Sequence, residues 1–286
     1  MDDLLFHATT KQQLQPPLAT PSHALLLVGP LGMGKTTTAR VLAQDLLETT
    51  SLDTYPYYSE LAFDDRAVGI DDVRNIREFM KRKTTGKRAI RRICLIDGAD
   101  DMTTEAANAL LKMLEEPASD TVFILTAATV STIPQTIRSR SQIMQLHPVS
   151  ESASAQYFGG NYTEPEIKRA YALSGGRPAL MMAVLSAEKD HPLLKAIERA
   201  KSILSAEPYE RLAQIDAITK EKDDIEHLLF GLERIASSLV QRAAAANAAP
   251  NLRRAHRTLA AVVEAEAAYR TRANSKLVFT HLFLNI

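Results

Sequence analysis

Four short apolar runs mark the first half of the chain: Ala24-Leu25-Leu26-Leu27-Val28, Ile93-Cys94-Leu95-Ile96, Val122-Phe123-Ile124-Leu125 and Ile143-Met144-Gln145-Leu146. They are continuous rather than alternating, which predicts strands covered on both faces, as in a parallel sheet. Between the first two, Ala39, Leu42, Ala43, Leu46 and Leu47 fall on one helix face; before the third, Ala106, Ala107, Leu110, Leu111 and Leu114 form a second stripe. Strand and helix patterns alternating at this spacing predict βαβ units and an α/β sheet with helices on both sides, ending near 148 at His147-Pro148.

The pattern then turns helical. Thr163-Glu164-Pro165-Glu166 has the spacing of a capping box, Ser174-Gly175-Gly176 stops that helix, and Arg177-Pro178 opens the next. Helices are predicted over roughly 193–205, 207–219, 224–246 and 251–283, with Ala249-Pro250 as punctuation. A chain of 286 residues exceeds what one core fills. The expected division is a sheet domain over 1–148, a small helical domain over 149–190 and a helical C-terminal domain over 191–286. Apolar stripes in the last, Leu228, Leu232, Ile235, Leu239 and Leu252, Leu259, Val263, serve its core and leave surface for neighbours.

Composition narrows the class. Thirty-four basic residues balance thirty-four acidic ones, which excludes a uniformly basic nucleic-acid coat but not a local patch. One cysteine, Cys94, excludes an internal disulfide framework and any multi-cysteine zinc site. The start, Met1-Asp2-Asp3-Leu4-Leu5-Phe6, has no basic n-region, and no apolar stretch approaches membrane-spanning length, so a cytoplasmic protein is expected.

Chemistry enters with Gly29-Pro30-Leu31-Gly32-Met33-Gly34-Lys35-Thr36, which fits G-x-x-x-x-G-K-[ST] between a predicted buried strand and an amphipathic helix. Glycines let backbone N–H groups turn toward phosphate oxygens, and the helix N-terminus adds its positive end. Lys35 is expected on the β- and γ-phosphates of ATP or ADP, Thr36 on Mg²⁺, and Thr37 closes the segment. The second Mg²⁺-organising acid is expected after a buried strand, where Asp97 stands as the Walker B aspartate. The following position, where ATPases of this type carry a water-polarising Glu, is Gly98. Asp100 and Asp101 stand at a different offset.

These segments make the chain resemble the clamp-loader branch of the AAA+ ATPases, in its bacterial DNA polymerase III form. Gly69-Ile70-Asp71-Asp72-Val73-Arg74-Asn75-Ile76-Arg77 is similar to the family's stretch between the first helix and Walker B. Ala107-Asn108-Ala109-Leu110-Leu111-Lys112-Met113-Leu114-Glu115-Glu116-Pro117 resembles the helix after Walker B, and Thr136-Ile137-Arg138-Ser139-Arg140-Ser141 the Ser-Arg-Cys motif, with Ser141 in place of the cysteine. The resemblance implies an AAA+ sheet domain, a helical lid and an all-helical collar. It implies that Arg140 reaches a neighbouring subunit's nucleotide as an arginine finger; the plain alternative is a surface arginine paired with an acid. It aligns a polar sensor with Thr129, or with Thr126, and a second sensor on the lid with Arg177, whose alternative is a helix-start arginine facing water. Implied partners are other clamp-loader subunits of motor and delta type, the sliding clamp, and primer-template DNA through the assembled complex, with no membrane.

The chain also departs from that family. Residues 48–62 contain no cysteine, so the four-cysteine zinc module is absent, and the usual Gly-Gln adenine signature is missing before Pro21. Gly98 points to a stator-like subunit with weak or no hydrolysis; the competing reading is an active AAA+ ATPase of replication or repair in which another acid, such as Asp100, serves. Lys81, Arg82, Lys83, Lys87, Arg88, Arg91 and Arg92 form a basic cluster, read either as a phosphate-contacting patch or as a solvated loop.

Overall fold

The computed structural model describes residues 4–19, 21–61, 69–188, 190–220 and 223–286; Met1–Asp3 and Ala62, used in the sequence reading, lie outside them. The chain divides into two compact units, Met1–Ser150 and Glu151–Ile286.

In the first unit five parallel strands, β1 (Ala24–Val28), β2 (Tyr58–Leu61), β3 (Arg92–Ile96), β4 (Thr121–Ala127) and β5 (Gln142–Gln145), lie in the order β2-β3-β4-β1-β5. The helices are α1 (Ala8–Ala19), α2 (Lys35–Leu47), α3 (Ile70–Met80), α4 (Thr104–Glu115) and the single turn α5 (Gln135–Arg138). The continuous apolar runs resolve into two faces once the pleat is applied. Leu25, Leu27, Ile93, Leu95, Val122 and Ile124 pack with Leu14 of α1 and Ala39, Leu42, Ala43 and Leu47 of α2. Leu26, Val28, Cys94, Ile96, Phe123 and Leu125 pack with Val73, Ile76 and Phe79 of α3 and Ala106, Leu110 and Leu114 of α4.

Strand β2 and helix α1 are not predicted by the pattern. Tyr58-Ser59-Glu60-Leu61 is only partly buried at the sheet edge, and α1 carries Pro16-Pro17 and no clear apolar stripe. Helix α1 covers the other edge: Gln13 Oε1 accepts from Gln145 N–H at 3.0 Å and Thr10 Oγ1 accepts from His147 N–H at 3.1 Å.

The second unit holds α6 (Glu151–Phe158), α7 (Glu164–Ser174), α8 (Pro178–Leu185), α9 (Pro192–Ser205), α10 (Pro208–Ala213), α11 (Ile215–Lys220), α12 (Asp223–Ala245), α13 (Ala249–Arg270) and α14 (Ser275–Asn285). The capping box forms, with Thr163 N–H donating to Glu166 Oε2 at 2.8 Å. Two predicted helices are broken. The 207–219 segment splits at Gln214, and the last splits where Arg272 takes a φ of 60° and Asn274 Oδ1 caps α14 by accepting from Lys276 N–H at 3.0 Å. Leu228 and Leu232 are core residues, but on α13 the buried face is Ala255, Thr258, Val262 and Ala265, and the expected Val263 is half exposed. Small side chains there let α13 lie close to its neighbours. The loop Ser174–Arg177 is tied to α12: Arg234 Nη1 donates to the Ser174 carbonyl at 3.3 Å and Arg177 Nη2 to Glu233 Oε2 at 3.3 Å. Helices α6 to α8 thus share a unit with the helices beyond residue 190. Among the described residues no helix is long and apolar enough to cross a membrane.

Candidate nucleotide-binding site

The glycine-rich loop starts where β1 ends, with Gly29 N–H donating to the Ala127 carbonyl at 3.1 Å. Gly32 and Gly34 both take a φ of 81°, left-handed backbone that costs an ordinary L residue about 1–2 kcal/mol. Gly34 precedes α2 without a side-chain cap, and a helix N-terminus of this kind favours an anion by its positive end. Lys35 folds back over the loop, its Nζ donating to the Gly29 and Pro30 carbonyls at 2.8 and 3.4 Å. Pro30, Leu31 and Met33 fill the loop between the glycines, with Met33 buried in the α2-side core; Thr37 is exposed on the first turn of α2.

Behind the loop three elements meet at one carboxylate. Thr36 Oγ1 on α2 donates to Asp97 Oδ2 at 2.7 Å, and Thr126 Oγ1 on β4 donates to Asp97 Oδ1 at 2.5 Å. Asp97 directly follows β3, and its N–H reaches the Leu61 carbonyl of β2 at 2.9 Å. Mg²⁺ is commonly held by one or two carboxylates plus substrate phosphates and waters. One hydroxyl beside one carboxylate fits that habit, and the described residues hold no group of three or more His, Cys, Asp or Glu able to bind a metal alone. When bound, the ion would neutralise charge on the phosphates; Thr36 and Asp97 are the residues to hold it.

The two threonines considered for the sensor, Thr129 and Thr126, differ in what they touch. Thr129 bonds within its own turn, to Ser131 Oγ at 2.9 Å, and its carbonyl accepts from Thr132 Oγ1 at 2.8 Å. Thr126, the alternative, touches Asp97 and also accepts the Gly98 N–H at 2.9 Å. Strand β4 runs on to Ala127, so Thr126 still sits in the sheet at full burial. Gly98 has a φ of 76°, and Asp100, the acid proposed as a substitute, accepts the Ala128 N–H at 2.8 Å.

Arg140 is a surface arginine paired with an acid. Its Nη2 donates to Glu115 Oε1 at 2.9 Å and its Nη1 to the Thr136 carbonyl at 3.1 Å. Arg177, in the second unit, does not face water: its side chain is 13% exposed, 4.9 Å from the Phe230 ring centroid and paired with Glu233. Burial, then the neighbouring Arg234, push its guanidinium down to about 10 despite Glu233.

Sequence reasoning missed one cluster. Arg40 on α2 forms a two-pronged ion pair with Glu60 on β2, at 2.6 to 3.1 Å, and the Tyr58 hydroxyl donates to Glu60 Oε2 at 2.6 Å. Burial would raise the Glu60 carboxyl, but the bonds from Arg40 and Tyr58 outweigh it and hold it below the usual range. Arg40 is raised by Glu60 foremost, and the Asp97 charge contributes. The hint in the sequence was Arg40, one turn beyond Thr36. The basic cluster is largely committed to the fold. Lys81 pairs with Glu78, Arg88 with Glu48 and Arg91 with Asp120, while Arg92 is buried and donates to the Met80 carbonyl at 2.8 Å.

The family model described as DNA polymerase III, delta subunit, matches residues 7–150. DNA polymerase III subunit delta' of Haemophilus influenzae is 29% identical over 57% of this chain and 55% of its own length; that of Pseudomonas aeruginosa is 31% identical over 56% and 55%. The replication factor C small subunit of Saccharolobus solfataricus is 30% identical over 72% of this chain and 65% of its own. The chain thus matches little more than half the length of the delta' relatives. In fold it resembles a DNA polymerase III gamma subunit-related protein of Thermotoga maritima, with a TM-score of 0.52, 14% identity and coverage of 96% and 97%. With its sheet, its glycine-rich loop and the Thr36–Asp97–Thr126 constellation in place, the chain belongs to the DNA polymerase III delta-subunit family, among the clamp-loader AAA+ proteins.

Proposed function

We propose that the chain is a delta'-type subunit of a DNA polymerase III clamp loader that binds ATP or ADP with Mg²⁺ at Gly29–Thr37 and Asp97 and hydrolyses it poorly. The observation that carries this reading is the Thr36–Asp97 hydrogen bond of 2.7 Å behind the loop, followed at once by Gly98. It supports phosphate and ion binding while leaving the water-orienting position without a side chain. A positioned base or orienting group contributes about 10² to 10⁴ in rate, so turnover by the isolated chain is expected to be slow. Of the two sensor candidates, Thr126 rather than Thr129 takes that role, supported by its hydrogen bond to Asp97. Arg140, exchanging Glu115 for phosphate, acts on a neighbouring subunit's nucleotide, and Arg177 would have to exchange Glu233 likewise to serve as the second sensor. Residues 149–190 act as the lid and 191–286 as the collar that joins motor and delta-type subunits, in the cytoplasm, for loading a sliding clamp onto primer-template DNA.

Titration calorimetry with Mg-ATP tests the binding half. Lys35→Ala should weaken binding by at least about tenfold, since it removes a cation from the phosphates. Unchanged affinity would overturn the nucleotide site. Rapid turnover by the purified chain would instead favour the active-ATPase reading.

A further inference from the structure

Away from the nucleotide loop, the second unit contains a groove of about 400 Å³ where the end of α12 turns into α13. Its apolar wall is Leu204 of α9, Leu239 and Ala243 of α12 and Ala255 of α13. Its polar lining is dominated by three arginines, Arg211, Arg242 and Arg254; no Asp or Glu side chain lines it, and the terminal oxygen of Ile286 faces Arg211. The three are not equivalent. Arg211 is 5% exposed and anchored, donating from Nε to the Ala206 carbonyl at 2.9 Å and from Nη1 to the terminal oxygen of Ile286 at 2.5 Å. The guanidinium groups of Arg242 and Arg254 are exposed and make no hydrogen bond or ion pair among the described residues.

Arg40, Arg91, Arg140, Arg177 and Arg234, by contrast, each hold a carboxylate. With Arg211 held by Ile286, the cations left to a ligand are Arg242 and Arg254, and an incoming carboxylate gains charge-assisted hydrogen bonds from them. Carboxylates alone would leave the apolar wall unused. Leu239 is 40% exposed there, so a large apolar side chain entering beside the arginines would cover surface that now meets water. The volume falls in the range of sites that seat a side chain cluster, about 300–1,000 Å³. Nucleic acid is a poorer fit: no aromatic residue lines the groove to stack a base.

We propose that this groove docks a short segment of a partner protein in which a large apolar side chain stands beside one or more carboxylates. The apolar side chain seats against Leu204, Leu239, Ala243 and Ala255, and the carboxylates bridge Arg242 and Arg254. The groove is built from the second unit and takes in no residue of the glycine-rich loop.

The test is selection of random-sequence peptides on the immobilised full chain, followed by fluorescence anisotropy of the enriched peptides against Arg242→Glu/Arg254→Glu and, separately, Leu239→Ser. All three positions are partly or fully exposed, so the variants should fold, which far-UV circular dichroism and Mg-ATP affinity equal to the parent would verify. Enriched peptides should combine acidic with large apolar residues, lose at least about tenfold affinity with the double variant, and lose affinity more modestly with Leu239→Ser. Enrichment without acidic residues, or equal affinity for the double variant, overturns the proposal. So does the outcome in which no peptide is enriched while a duplex or single-stranded oligonucleotide binds the parent and not the double variant.

Discussion

At the scale of single residues, Thr126 and Cys94 show opposite uses of burial. The Thr126 hydroxyl is fully buried and twice employed, donating to Asp97 and accepting from Gly98 N–H. Thr126→Val keeps the shape and leaves two polar groups short of a partner, which should cost about 1–3 kcal/mol in urea denaturation. It should also weaken Mg-ATP binding, because Asp97 loses one of the bonds that fix its orientation. Thr129→Val touches only its own turn and should be close to neutral in both measurements; the reverse order would return the sensor role to Thr129. Cys94 is buried in the strand core, and burial pushes its thiol up to about 12. A thiol so seldom ionised should resist alkylation in the folded chain and react at once in denaturant, read by mass spectrometry.

At the scale of elements, one aspartate joins the basic loop to the sheet. The Asp120 carbonyl accepts the N–H groups of Arg91 and Arg92 at 2.9 and 3.0 Å, and its carboxylate accepts from Arg91 Nε at 3.2 Å and from the Thr84 hydroxyl. Burial would raise this carboxyl, but Thr84 and Arg91 outweigh it and hold it below the ordinary value. A folded-state pKa below the unfolded one contributes stability above about pH 4, and that contribution is lost as pH falls through the folded value. Asp120→Asn should therefore lower stability at neutral pH by about 1–3 kcal/mol and flatten the acid side of the stability profile. Chemical denaturation at neutral pH and near pH 3 checks both; an equal penalty at the two pH values would place the effect in packing instead. The same bonds explain why seven clustered cations do not make a free basic surface: the fold draws several of them into ion pairs and backbone carbonyls.

At the scale of the whole molecule, the reading turns on Arg140 acting outside its own chain. Arg140 is held by Glu115 at 2.9 Å on a partly exposed surface, so the proposed release to a neighbour's phosphate is an exchange between two anionic partners. Arg140→Ala should leave this chain's own Mg-ATP affinity unchanged and lower ATP turnover and clamp loading by the reconstituted complex. An arginine finger supplied in trans is worth about 10³ to 10⁵, but only one of several sites would lose it, so the drop should be partial. Full loading activity in a complex carrying Arg140→Ala would remove the finger role.

The sequence by itself determined the parallel α/β class and the clamp-loader resemblance, and it marked the glycine-rich loop and the strand before Asp97. These are local signals: glycine spacing, continuous apolar runs and helical stripes act through neighbours a few residues away. The structure alone decided which threonine meets Asp97, what holds Arg140 and Arg177, and where the edge strand Tyr58–Leu61 joins the sheet. Those answers depend on groups 25 to 56 positions apart, as in Glu115 with Arg140 and Arg177 with Glu233, and only the packed sheet and helices bring them within hydrogen-bond distance. The groove of Arg211, Arg242 and Arg254 is of the same kind, since three arginines from three helices share it without sharing any motif.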